Sequence, residues 1–165
     1  MSPIRYGPFH ALIQKLASSR PGSWILAHIL HSVDPLTLKL SGGRATLTGI
    51  LAGVPVVMVT TTGARSGLRR TQPLLPIRDP SKPGRFALIA SNWGQHHFPA
   101  WYFNLKKNPR ATCDLEGKSE PYVAHEATGE EYDRLWGYAT DTYFGYALYE
   151  KRAGRRIPIM VMEHE

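Results

Sequence analysis

Apolar and polar positions recur along this chain with two different periods, and the switches between them mark its elements. Phe9, Leu12, Ile13 and Leu16 fall at i, i+3, i+4 and i+7 with Lys15 on another face, which predicts an amphipathic helix over residues 8–19. Pro21-Gly22 interrupts it, and a second helical stretch runs from Trp24 to Val33 before Asp34-Pro35. Ser41-Gly42-Gly43 is a turn. From Val56 the pattern changes. A β-branched run to Thr62 predicts a strand, Gly63 and Gly67 bracket a turn, and a second strand returns over Arg69 to Ile77. Arg85 to Ser91 reads as another apolar strand.

Pro99 suits the first turn of a helix over Ala100 to Leu105, with Lys106 and Lys107 in its last turn and Asn108-Pro109 as its stop. Arg110 to Glu116 and Ser119 to Glu126 predict two strands joined at Gly117-Lys118. Thr128-Gly129-Glu130-Glu131 has the spacing of a capping box and opens a helix through Leu135, Trp136 and Ala139. Arg155-Arg156 leads into a last strand, Ile157 to Met162. Several strands, one short helix within the sheet order and another before the final strand predict an α+β domain with a barrel-like antiparallel sheet. The domain is expected over residues 41–165, with residues 1–40 expected as a helical segment packing on it.

Composition narrows the function classes. The 165 residues suffice for one domain with a substantial core. Twenty Lys and Arg against thirteen Asp and Glu give a formal charge of +7, which favours anionic partners. Cys113 is the single cysteine, so neither a disulfide framework nor a cysteine-based zinc site is expected, and it reads as a packed strand residue. His28 and His31 share a helical face, but no carboxylate or thiol stands at matching spacing, and no metal is expected. The first residues lack the apolar core of a signal peptide, and no apolar run approaches the ~20 residues that span a bilayer. The expected location is the cytoplasm. The apolar, basic residues 1–33 are either packed on the domain or a peripheral contact with the inner face of the membrane.

Three stretches carry candidate chemistry. The turn between the first two strands concentrates Arg65, Ser66, Gly67, Arg69, Arg70 and Thr71. Backbone amides, hydroxyls and guanidinium groups there would cradle a phosphate or carboxylate. The plainer reading is a solvated basic turn. It is not a P-loop, since the Gly-Lys-Ser/Thr ending and the following helix are missing. The loop Asn92 to Pro99 is rich in aromatic and polar groups, as binding loops are. His96 and His97 within it read as exposed loop residues or as guides for an acidic ligand. Tyr143, Tyr146 and Tyr149 recur every third residue, either as packing or as phenols able to donate a hydrogen bond or a proton. The arginines cluster in one turn, without the aromatic β-face or recognition helix of a nucleic-acid binder.

Taken together, these stretches resemble the deazaflavin-dependent nitroreductase family of actinobacteria, whose members use coenzyme F420. The resemblance covers residues 42–163. It rests on Thr61-Thr62-Gly63-Ala64-Arg65-Ser66-Gly67 with Arg70-Thr71 and Pro73-Leu74, on Ala90-Ser91-Asn92-Trp93-Gly94, on Pro99-Ala100-Trp101-Tyr102 with Asn104-Leu105 and Asn108-Pro109, and on Arg156-Ile157-Pro158. It implies a split β-barrel like that of FMN-binding relatives. It also implies a coenzyme site drawn from Ala64, Arg65, Ser66, Gly67, Arg69, Arg70, Thr71, Gln72, Pro73, Leu74, Asn92, Trp93, Gly94, Pro99, Ala100, Trp101 and Asn104. Arg65 and Arg70 would clamp the phosphate, while Arg69 is expected to point outward. Trp101 would lie by the ring system or serve as a core anchor. Asn92 stands where some members carry lysine, so one charge is missing from the clamp.

Tyr146 matches the family position near coenzyme and substrate, with Tyr143 and Tyr149 walling the pocket. The implied activity is a reductase delivering hydride to an enone, quinone, lactone or nitroaromatic, with Ser91 and Tyr146 polarising or protonating the substrate. The partner is a small molecule rather than nucleic acid, and the protein works as a monomer or a homodimer. FMN in the same fold is the alternative cofactor, and a non-catalytic coenzyme or lipid binder is the alternative function.

Overall fold

The computed structural model describes residues 56–115 and 117–165. The expected helices over 8–19 and 24–33, the pair His28 and His31, the 1–40 segment and the turn at 41–43 lie outside the described residues. Seven strands and three helices follow in order. They are β1 (Val57–Thr62), β2 (Arg69–Leu74), β3 (Ile77–Arg78), β4 (Phe86–Ile89), α1 (Ala100–Lys107), β5 (Arg110–Leu115), β6 (Lys118–Glu126), α2 (Gly129–Thr142), α3 (Gly145–Ala153) and β7 (Ile159–His164). A short 3-10 turn, Asn92–Gly94, lies between β4 and α1.

All strand pairs are antiparallel, in the order β2-β1-β5-β6-β7-β4-β3. β2 and β3 therefore stand at opposite ends of the sheet, yet only Leu75 and Pro76 separate them. Three extended peptide steps reach about 10 Å, whereas seven flat strands would set their outer edges about 29 Å apart. The sheet must curl until its ends meet, which makes it a half-barrel.

Its inner face carries Val57, Val59, Phe86, Leu88, Ala111, Cys113, Tyr122, Ala124, Met160 and Met162, and α1 packs there through Trp101, Tyr102 and Leu105. Cys113 is fully buried, which pushes its thiol up to about 12, and it packs as expected. The outer face at β3, β4 and β7 is covered by α2 and α3 around Leu135, Ala139, Tyr146 and Tyr149.

Several local expectations change. The strand over Arg69–Ile77 is two strands, because Pro76 cannot donate to a ladder and the chain crosses there between the sheet's edges. Pro99 sits one residue before α1 rather than inside its first turn. The capping box does not form, since Thr128 makes no side-chain cap bond. Glu131 instead accepts from Arg85 Nη2 at 2.5 Å and lies 3.0 Å from His125 Nε2. The final strand begins at Ile159 rather than Ile157, after Pro158. The third helix, α3, holds two of the three tyrosines and was not expected.

Candidate functional site

The glycine turn between β1 and β2 is built from its own backbone. Gly63 N–H donates to Leu68 O at 2.8 Å and Gly67 N–H to Gly63 O at 2.9 Å. Gly67 adopts φ +70°, the left-handed region that glycine enters without a Cβ penalty. A Cβ on Gly63 would stand 2.7 Å from Ser66 Oγ and 3.1 Å from Leu68 O, so a side chain there would have to turn the Ser66 hydroxyl away and press on the Leu68 carbonyl. Helix α1 fastens the turn from beneath. The buried Asn104 donates to Thr61 Oγ1 at 3.0 Å and accepts from Ala64 N–H at 2.9 Å. Lys107 Nζ donates to Ala64 O at 2.7 Å. The turn is thus a rigid platform that presents Arg65, Ser66 and Gly67 to solvent.

Strand alternation then divides β2. Arg70, Gln72 and Leu74 pair with Thr61, Val59 and Val57, and so share the inner face. Arg69, Thr71 and Pro73 share the opposite face. There Thr71 and Thr60 hydroxyls lie 2.7 Å apart, and Arg69 Nη2 donates to Thr112 Oγ1 across β1 at 3.1 Å. Arg69 points outward as expected. Thr71, expected to act beside Arg70, lies on Arg69's side. Among the described residues none of Arg65, Arg69 and Arg70 is paired with a carboxylate.

The loop after β4 is strained and heavily held. Asn92, Trp93 and Gly94 have φ of +46°, +57° and +77°, three successive left-handed residues of which two are not glycine. Gly94 N–H donates to Ser91 O at 3.0 Å and Gln95 N–H to Asn92 O at 3.0 Å. Asn92 Nδ2 donates to His97 O at 3.1 Å, so this amide spans its own loop. Gly94 lies against α3, where a Cβ would come within 3.1 Å of Tyr149 Cα. Ser91 is buried at the start of this turn. Ala100 is exposed at the head of α1, while Trp101 is 5 % exposed and anchors that helix in the core.

The tyrosines form one cluster. The Tyr143 and Tyr149 hydroxyls are 3.0 Å apart, and Tyr143 meets Tyr146 edge-on with ring centroids at 5.3 Å. Trp93 meets Tyr149 edge-on at 6.2 Å, so the strained loop and the tyrosine helix share a contact. Burial first, and then the neighbouring Tyr143, push the Tyr146 phenol well above its ordinary range. Burial does the same to Tyr149, together with Tyr143 and Tyr146 and against Arg152. Both phenols remain protonated donors at neutral pH. Gly145 lies under the Tyr143 ring, which any Cβ there would displace.

Two arginines that the sequence did not single out organise this region. Arg155 follows α3 and donates to the carbonyls of Gln95, His96 and His97. Arg85, 5 % exposed at its side chain, sits among Asp79, Glu131 and Glu163. Asp79 apart, their partners stand 46 or more residues away in the chain, so no local pattern betrays the full sets. Among the described residues no group of three or more His, Cys, Asp and Glu is placed to hold a metal ion, and no helix is long and apolar enough to cross a membrane.

Comparison with known proteins agrees with this architecture. The family model for F420H(2)-dependent quinone reductase matches residues 37–164. An F420H(2)-dependent quinone reductase of Mycobacterium tuberculosis strain H37Rv is 31 % identical over 114 residues, spanning 66 % of this chain and 72 % of the relative. A solved F420-H2 dependent reductase (FDR-A) is 38 % identical and covers 66 % of this chain and 94 % of its own, with a TM-score of 0.60. A solved domain-swapped dimer is 32 % identical and covers 87 % and 99 %, with a TM-score of 0.62. The curled sheet with its helices is the split β-barrel of such reductases, and this chain belongs to the F420H(2)-dependent quinone reductase family.

Proposed function

We propose that this oxidoreductase binds coenzyme F420 along the inner face of β2 and passes a hydride to an electron-poor acceptor, of the enone, quinone, lactone or nitroaromatic class. The observation that carries the reading is the stripe Arg70, Gln72, Leu74. Over about 13 Å of strand it runs from charged through polar to apolar. Such a stripe suits a ligand with an anionic tail and a flat ring system. The fit rests on donor chemistry, because Arg65 and Arg70 have no carboxylate partner among the described residues and can pair with phosphate instead.

When bound, the reduced deazaflavin supplies the hydride. The protein's part is binding, orientation and electrostatics. Arg65 and Arg70 hold the phosphate and the acidic tail, helped by the Ser66 hydroxyl and the backbone at Gly67. Gln72, Pro73 and Leu74 guide the ligand toward the ring site, which the Asn92–Gly94 turn and the Pro99–Ala100 backbone border. Asn104 and Trp101 act from beneath, by fixing the turn and the head of α1. Arg69 and Thr71 shape the outer face. Past the Asn92–Gly94 turn, where Trp93 meets Tyr149, Tyr143 and Tyr149 bound the acceptor. The Ser91 hydroxyl and the protonated Tyr146 phenol donate hydrogen bonds to the acceptor atom that gains negative charge.

The test is a turnover assay with reduced coenzyme F420 and menadione as a soluble quinone. Oxidation that requires both protein and acceptor supports the reading. Coenzyme binding without turnover would make the protein a carrier, and tight FMN binding in its place would change the cofactor. Two further points belong to the same proposal. Residues 1–33 contact the membrane surface peripherally, which co-sedimentation of the full chain with anionic phospholipid vesicles tests. The protein forms a homodimer, a reading supported by the domain-swapped relative and tested by analytical ultracentrifugation.

A further inference from the structure

The loop from Ser91 to Pro99 holds a conformation it would not choose alone. Two non-glycine residues in the left-handed region are strained, so contacts from outside the loop help to hold Asn92 and Trp93 at positive φ. The hydrogen bonds point to the last turn of α3, where Arg152 Nη1 donates to Trp93 O at 3.4 Å, and to the segment after it. Gly154 at φ +63° ends that helix in the left-handed conformation and redirects the chain. Arg155, the next residue, lays its guanidinium on the loop. Nε donates to His96 O at 2.9 Å, while Nη2 donates to Gln95 O at 3.2 Å and to His97 O at 3.2 Å. The same guanidinium lies over the Phe98 ring, 4.0 Å from its centroid. His96 Nδ1 adds a fourth stitch to Ala153 O at 3.0 Å.

What Arg155 holds reaches the acceptor wall. Asn92 Nδ2 binds His97 O, so fixing the carbonyl end of the loop fixes its strained end. Trp93, at that end, meets Tyr149, whose hydroxyl meets Tyr143. The coenzyme turn, by contrast, is fastened by Asn104 and Lys107 of α1 and has no bond to Arg155. A lysine would keep the charge at this position but cannot spread rigid in-plane donors over three carbonyls.

We propose that Arg155 is a positioning residue for acceptor reduction: it clamps three carbonyls of the Ser91–Pro99 loop and thereby sets Trp93 against the Tyr143–Tyr149 wall, without touching coenzyme or acceptor. This rests on the proposed reductase reading. The test compares wild type with Arg155→Lys and Arg155→Gln in steady-state reduction of menadione by reduced coenzyme F420. Each variant is also titrated with oxidised coenzyme and melted thermally. Both variants should raise the menadione KM at least fivefold and lower kcat/KM about 10- to 50-fold, with the coenzyme Kd raised by a clearly smaller factor, about threefold or less, because the loop borders only the ring while Arg65 and Arg70 hold the anionic tail on a separately fastened turn. A purely structural role predicts a lower melting temperature and a lower kcat from fewer active molecules at unchanged KM; that result overturns the inference, as does wild-type kinetics in Arg155→Lys. Failure of the underlying reading is separate, because wild type itself would then turn over no menadione.

Discussion

Two arginine-rich regions of this protein solve opposite problems with the same side chain. In the β1–β2 hairpin, Arg65, Arg69 and Arg70 are exposed and lack carboxylate partners among the described residues. Beneath α2, Arg85 lies 3.1 Å from Asp79 and 3.0 Å from Glu163, and it also binds Glu131. Arg134 adds a longer contact to Asp79 at 3.5 Å. A guanidinium surrounded by its counterions inside the fold has its charge satisfied there and acts on stability. One at the surface with no carboxylate partner among the described residues has its charge available, which is the role proposed for Arg65 and Arg70. Partner inventory, more than arginine count, separates a structural cation from a recognition cation.

The largest effect should come from breaking the satisfied set. Arg85→Met leaves the Asp79 carboxylate buried without its main counterion and should cost about 3–5 kcal/mol of stability by chemical denaturation. Coenzyme affinity in the surviving folded protein should change little. If stability held and affinity fell, the division between the two regions would be wrong.

Acid tests the same set from the other partner. Burial pushes the Asp79 carboxyl up, but hydrogen bonds from Ser81 and the charges of Arg85 and Arg134 outweigh it and hold the pKa below its ordinary value. Burial likewise raises Glu131, and His125 and Arg85 outweigh it. A carboxyl whose folded pKa is depressed contributes stability above its unfolded pKa and loses it as pH falls through the folded value. Stability should therefore decline from about pH 4 downward, and Asp79→Asn should shallow that decline in urea melts taken across the range.

The exposed region should behave in reverse. Arg70→Ala should leave stability within about 0.5 kcal/mol yet weaken oxidised coenzyme binding about 10- to 100-fold, the worth of one charge-assisted hydrogen bond. Wild-type affinity should fall with added salt while the urea midpoint moves far less, because exposed charges are screened and buried pairs are not. Equal salt sensitivity in both would erase the distinction.

The contrast also explains what the sequence could disclose. The hairpin was legible because its parts are neighbours: a β-branched run, two glycines and the basic residues between strands lie within nineteen positions, 56 to 74. Helix α1 was legible for the same reason, between Pro99 and Asn108-Pro109. The Arg85 set was hidden, since Arg85 meets Glu131 and Glu163 across 46 and 78 residues. Those distant partners also misled the local reading at Thr128, where the capping-box glutamate is drawn away. Helix α3 escaped notice because tyrosines every third residue suggested a pocket wall before a helix. Its end was nevertheless marked by Lys151, Arg152 and Gly154. Within β2, the separation of Arg70 from Arg69 and Thr71 follows from strand alternation alone, but which of them shares the inner face depended on knowing the register.

That separation gives the most direct test of the central claim, that anion binding belongs to the inner face of β2. Fluorescence titration of wild type, Arg70→Ala and Arg69→Ala with oxidised coenzyme F420 compares two adjacent arginines of equal charge. The account predicts a loss of about 10- to 100-fold for Arg70→Ala and less than about twofold for Arg69→Ala, as general screening alone would give. Equal losses from both, or the larger loss from Arg69→Ala, would contradict it.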